Sequence, residues 1–125
     1  MSASRRTADR RAKLLSFCEG LPGVAIEPYG ERHHAMKVRK KAFAYHLDDY
    51  HGDGRVAVCC KSTRTRQAEL VASQPDRYYI PPYLGVSGWV LLRVDGAKID
   101  WDEAFDLLLA AYRLQAPKRL LEELE

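Results

Sequence analysis

Two short runs of alternating residues, separated by a basic pair, constrain this chain more than any other feature. Between His34 and Val38, Met36 and Val38 fall on one face and Ala35 and Lys37 on the other. Lys41 to Leu47 repeats the period, with Phe43, Tyr45 and Leu47 on one face. A side-chain period of two is that of a strand, and Arg39-Lys40 between the runs closes them into an antiparallel hairpin. After an Asp/Gly-rich turn at 48–54, Arg55 to Lys61 supplies a third strand, with Val56, Val58 and Cys60 set against Ala57 and Cys59. Hairpin-linked strands commit the chain to an antiparallel sheet, and the flanking segments supply what covers it.

Those segments have helical spacing. Thr7 caps a first helix running to about Gly20, with Leu14, Leu15, Phe17, Cys18 and Leu21 as its apolar positions and Leu21-Pro22-Gly23 as its stop. Val24 to Ile26 starts a strand. A second helix spans about Thr65 to Ser73 and buries Ala68, Val71 and Ala72. The aromatic, proline-rich stretch Tyr78 to Tyr83 cannot be a central strand throughout, because proline lacks the ladder N–H. Trp89 to Val94 is a strand. Asp100 and Glu103 form a capping-box pair ahead of a third helix with the stripe Trp101, Phe105, Leu108, Leu109 and Tyr112, ended by Pro117.

The order helix, three strands, helix, one or two strands, helix predicts an α+β fold, a single two-layer domain with helices packed on one face of an antiparallel sheet. At 125 residues the chain has room for one domain, read here as a flexible basic arm (1–6), the α+β body (7–116) and a helical tail (117–125). No run of ~20 apolar residues is present, which excludes a membrane-spanning helix. The basic start lacks an apolar stretch behind it and does not read as a secretory signal. Three cysteines, Cys18, Cys59 and Cys60, make a poor disulfide framework and fit a reducing cytoplasm.

Charge is unevenly spread. Residues 1–66 hold 14 Lys/Arg against 7 Asp/Glu, and residues 67–125 hold 6 against 10. The basic half has three clusters: Arg5, Arg6, Arg10, Arg11 and Lys13; Lys37, Arg39, Lys40 and Lys41 at the hairpin; and Lys61, Arg64 and Arg66 at the start of the second helix. A basic surface attracts phosphates by Coulomb attraction and counterion release, and a helix N-terminus adds N–H groups that favour an anion. Cations there are unfavourable for the helix itself, which hints at another use. The competing reading is a solvated surface whose basic half balances the acidic one. Trp89 and the tyrosines 78, 79 and 83 have the chemistry to stack on bases, although aromatics beside a Pro-Pro turn commonly pack a loop onto the core.

His33, His34, His46 and His51 with Cys59 and Cys60 lack any metal-site spacing, and Asp48, Asp49 and Asp53 lack that of a calcium loop. A Cys59 or Cys60 nucleophile needs a histidine base, for which His46 on the neighbouring strand is the candidate, but strand cysteines are usually inert core. No glycine-rich phosphate loop or nucleophile elbow appears, so neither a catalytic residue, a metal nor a cofactor is expected.

Five segments in order resemble the MmcQ/YjbR-like family. Leu14 to Val24 is similar to its opening helix ending in Leu21-Pro22-Gly23-Val24, and His33 to Phe43 to its hairpin with a Lys41-Ala42-Phe43 step. Val56 to Lys61 is similar to its lysine-ended strand. Arg77 to Gly85 followed by Gly88-Trp89-Val90 resembles its Pro-Pro-Tyr and Gly-Trp stretch, and Asp102 to Tyr112 its closing helix. The resemblance covers about residues 10–116 and leaves out the Arg-rich start and the Leu/Glu tail. It implies a secretion-chaperone-like fold and a "double wing" DNA-binding role.

Residues and resemblance together predict a non-catalytic, cytoplasmic, bacterial-type protein that binds nucleic acid, namely duplex DNA, with weak sequence specificity. The contacts expected are Lys37, Arg39, Lys40, Lys41, Lys61, Arg64, Arg66 and Trp89, with no membrane partner and a monomer or homodimer. Two alternatives stand beside it: a protein–protein module with a hot spot at Tyr83 or Trp89 and a Leu-rich tail that dimerises, and a small-ligand pocket beneath Pro81-Pro82.

Overall fold

The computed structural model describes residues 3–124. Helix α1 (Ala3–Glu19) leads into β1 (Val24–Tyr29), β2 (His33–Val38), β3 (Lys41–Asp48) and β4 (Val56–Cys60). Helix α2 (Arg64–Ser73), β5 (Tyr78–Tyr79), β6 (Val90–Arg93), α3 (Trp101–Gln115) and α4 (Lys118–Glu122) complete the chain. The six strands form one antiparallel sheet in the order β1-β2-β3-β4-β6-β5. Both edges are blunt. Strand β1 carries Pro28, which has no N–H to offer, and β5 is two residues long and runs into Pro81-Pro82.

The sheet divides two cores. On the helix side Leu14 and Cys18 of α1, one turn apart, meet Met36, Phe43, Val58, Cys60, Leu92 and the α3 residues Leu108 and Tyr112. Phe17 stacks on Phe105 at 4.3 Å, joining α1 to α3, and the Tyr112 hydroxyl donates to the Pro22 carbonyl at 2.6 Å. The other face carries a smaller cluster of Leu47, Ala57, Cys59, Trp89 and Leu91, roofed by the loop after β5. The alternation expected in β4 holds, since Val58 and Cys60 face the helices and Ala57 and Cys59 face away.

In β3 the expected alternation fails. Met36 pairs with Ala44 but Lys37 with Ala42, so Phe43 is an extra residue, a bulge opposite the β2 ladder. Phe43 and Ala44 therefore both enter the helix-side core, and Tyr45 and Leu47 turn to the opposite face. Helix α2 is also rotated from expectation: it buries Gln67 and Leu70, leaving Ala68 and Ala72 exposed and Val71 half-buried. Along α3 the buried stripe is Ala104, Leu107, Leu108, Ala111 and Tyr112, with Trp101, Phe105 and Leu109 at its margin.

Helix α1 starts at Ala3, ahead of the expected cap at Thr7, so Arg5 and Arg6 lie within it. Met1 and Ser2 lie outside the described residues. Asp100 caps α3, accepting from the Glu103 N–H at 3.1 Å, while the Glu103 carboxylate pairs with Arg77 instead of returning to the cap. The tail folds back on its own domain. Leu120 is buried against Gly23, where even a methyl group would come within 2.9 Å of it, and Leu121 and Leu124 pack on the same core.

His46 lies fully buried among these helix-side side chains, and neither ring nitrogen meets a hydrogen-bond partner among the described residues. Burial, helped by nearby Arg11, His34 and His33, lowers its pKa from 6.5 to about 3. The folded protein therefore holds His46 neutral while the unfolded chain protonates it. The resulting stability is present above about pH 6.5 and is lost as pH falls towards 3. Between pH 6.5 and 5, above the carboxylate range, unfolding free energy is expected to fall by roughly 1 kcal/mol per pH unit, measured by urea titration. His46→Leu is expected to remove most of that slope without loss of stability at pH 7.

Candidate nucleic-acid interface

The β2–β3 turn sets the position of the second basic cluster. Arg39 and Lys40 have φ of 53° and 68°, the left-handed pair that matches a tight hairpin to the twist of its strands. Asn and Gly usually occupy such a turn. A residue with a Cβ costs of order 1 kcal/mol there, so two exposed cations occupy a position that stability alone does not favour. Lys41 follows, also exposed.

Strand pairing brings the third cluster to the same end of the sheet. Residue 60 of β4 pairs with Ala44, and the Lys61 N–H donates to the Phe43 carbonyl at 2.9 Å. Two residues on, Thr63 caps α2 by accepting from the Arg66 N–H at 3.1 Å, and Arg64 opens the helix on the surface. The first turn of α2 holds no acidic residue. Arg39, Lys40, Lys41, Lys61 and Arg64 are thus gathered at one sheet end by the backbone alone.

The other cations named from sequence are placed differently. Lys37 points to the open face and pairs with Glu27 at 3.2 Å, an exposed pair worth little. Arg66 lines the groove between α2 and α3, opposite Asp100, Asp102 and Asp106. The first cluster belongs to the opposite end: Arg10 donates to the carbonyls of Val94 at 2.8 Å, Gly96 at 2.7 Å and Ala97 at 3.2 Å, where β6 leaves the sheet. Lys13 lies 4.2 Å from the Trp101 ring. The three clusters therefore do not form one continuous basic face.

Trp89 is only 6% exposed, packed by Tyr45 at 5.8 Å with the Lys61 ammonium 5.9 Å from its ring. Of the aromatics named with it, Tyr78 is buried on the helix side, Tyr79 holds Arg55 at 4.4 Å, and Tyr83 is exposed. Sequence reading missed Tyr29, Tyr45 and Tyr50, which line a cleft on the open face beneath the Pro81-Pro82 loop. The bulge in β3 hid Tyr45, because it turns that residue to the open face, and the other two are brought beside it by β1 and by the turn after β3.

The chemistry of the thiols is plain. Cys59 and His46 face opposite sides of the sheet, and burial raises the Cys59 and Cys18 pKa to about 12 and that of Cys60 well above its ordinary value. All three are protonated at neutral pH. Among the described residues no group of three or more His, Cys, Asp or Glu side chains is placed to hold a metal ion. No described helix is long and apolar enough to cross a membrane.

Against known proteins, the YjbR family model matches residues 19–114. The chain belongs to the YjbR family. Its fold is shared with Deinococcus radiodurans protein DR2400, a DUF419 domain solved by crystallography, at a TM-score of 0.68 and 23% sequence identity. The likeness covers 82% of this chain and 75% of that one. No curated protein matches the chain.

In this YjbR-family chain the start of α2 is fixed against the loop before β6 by a close backbone approach and a buried glutamine. Gly88, at φ 93°, sits so close to the start of α2 that a Cβ would come within 2.9 Å of backbone atoms of Ser62, Thr63 and Arg64. From the next turn of α2, Gln67 donates to the carbonyls of Gly85 at 2.9 Å and Trp89 at 2.7 Å. Gly88→Ala is expected to cost about 2–3 kcal/mol, from the clash and the left-handed backbone together, measured as a lowered urea midpoint with unchanged slope.

Proposed function

We propose that this YjbR-family domain is a non-catalytic DNA-binding protein whose hairpin-turn end grips phosphates. The observation that carries the reading is the convergence of Arg39, Lys40, Lys41, Lys61 and Arg64 on one sheet end, beside the exposed N-terminus of α2. A phosphate there meets side-chain cations and helix N–H groups at once. Lys37, tied to Glu27, and Arg66, in the acidic groove, contribute less, and Trp89 contributes by holding Lys61 in place. Phosphate contacts carry little base information, which fits weak sequence specificity. Three free, buried thiols fit the reducing cytoplasm of a bacterial cell.

A second reading has one observation in its favour. The loop after β5 exposes Ile80 (53%), Tyr83 (84%) and Val86 (72%), more apolar surface than a closed loop needs, as a protein-docking site would. Salt separates the two, since apolar docking survives it and phosphate binding does not.

Fluorescence anisotropy of a labelled DNA, titrated across a salt series, tests the leading reading. Affinity is expected to fall log-linearly with salt. Lys40→Glu with Lys41→Glu is expected to weaken binding and to flatten the slope by about 2, at ~0.9 for each phosphate lost. An unchanged slope in the double variant would overturn the hairpin's role.

A further inference from the structure

The open face of the sheet holds a cleft of about 220 Å³ lined by Tyr29, Tyr45, Tyr50, Tyr83, Pro82 and Cys59. Four tyrosines from β1, β3 and two separate loops converge there, and none of the residues lining the cleft is charged. Its size is below the roughly 300–1,000 Å³ of clefts that take drug-sized ligands, so it suits a single flat ring system. A free anion finds no cation in it. A flat, uncharged heterocycle finds ring faces to stack on and phenol hydroxyls for its polar edge.

The cleft is linked to the cationic end of the sheet. Tyr29 and Tyr45 lie 5.2 Å apart, Tyr45 and Trp89 5.8 Å apart, and the Lys61 ammonium caps the series 5.9 Å from the Trp89 ring. Lys41 and Tyr45 are four residues apart on β3, roughly 13 Å of strand. A strand of nucleic acid with its phosphates on the hairpin turn and Lys61 brings a base, about two nucleotides along, over the tyrosines. At the mouth, Tyr83 is held outward by a tight turn in which the Leu84 N–H donates to the Pro82 carbonyl at 2.7 Å, and it remains 84% exposed.

We infer that the tyrosine cleft of Tyr29, Tyr45, Tyr50 and Tyr83 takes an unpaired nucleobase, so that this protein prefers single-stranded to duplex nucleic acid. This rests on the phosphate-binding reading above and deepens it. A paired base stays stacked inside the duplex, whereas single strands are held by the combination found here, a basic track beside aromatic side chains. In this mode phosphates give affinity and one base gives strand preference.

The test uses the full chain and three labelled probes of equal length at low salt: an oligothymidylate, an abasic strand and a duplex. The oligothymidylate is expected to bind about tenfold more tightly than the abasic strand, the low end of what base–aromatic stacking supplies. Tyr29→Ala and Tyr83→Ala, both at exposed positions, are expected to erase that preference while leaving abasic binding and its salt slope unchanged. Equal binding of base-bearing and abasic strands, or a preference that survives both substitutions, overturns the cleft assignment while the phosphate reading stands. Failure of every probe to bind overturns the phosphate reading itself. Thymidine alone then decides the cleft: shifts in the Tyr29, Tyr45 and Tyr83 ring resonances sustain it, and unmoved resonances overturn it.

Discussion

A single extra residue in β3 decides what this fold presents on its two faces. With Val38 paired to Lys41 across the turn, an uninterrupted ladder would send Phe43, Tyr45 and Leu47 to the same side. The bulge at Phe43 breaks that parity. Phe43 and Ala44 fill the space under α3, where Phe43 meets Tyr112 edge-on at 5.6 Å, and His46 is carried into the same core. Tyr45 and Leu47 are released to the opposite face. The helix-side packing, the buried neutral histidine and the tyrosine cleft are thus consequences of one local register change.

The parts legible in the sequence were those set by local rules. The Arg39-Lys40 turn, the β4 alternation, the Asp100 cap and the α+β class each follow from residues close in sequence, and each is present. The parts that were not legible depend on distant partners. Bulge placement answers to how much volume α3 leaves above β3, which no short window contains. In α2 the polar Gln67 is buried because it serves two loop carbonyls about twenty residues away, while the apolar Ala68 and Ala72 face solvent. Hydrophobic periodicity reads such a helix one position out of phase.

The candidate interface divides in the same way. Which residues are basic was evident at once; which of them cooperate was a question of topology. The β3–β4 pairing unites clusters twenty residues apart, whereas α1 carries its arginines to the other end of the sheet, where Arg10 spends its guanidinium on three backbone carbonyls. A count of charges treats Arg10 and Lys40 alike. In the fold one is a structural tie and the other a free cation on a strained turn.

The blunt sheet edges limit strand pairing between copies of this chain. Pro28 on one side and the two-residue β5 with its following prolines on the other leave little backbone for a foreign strand to pair with. Lateral growth into a continuous intermolecular sheet is therefore disfavoured from either side. Contact between copies is left to the faces of the sheet and to the helices rather than to shared strands.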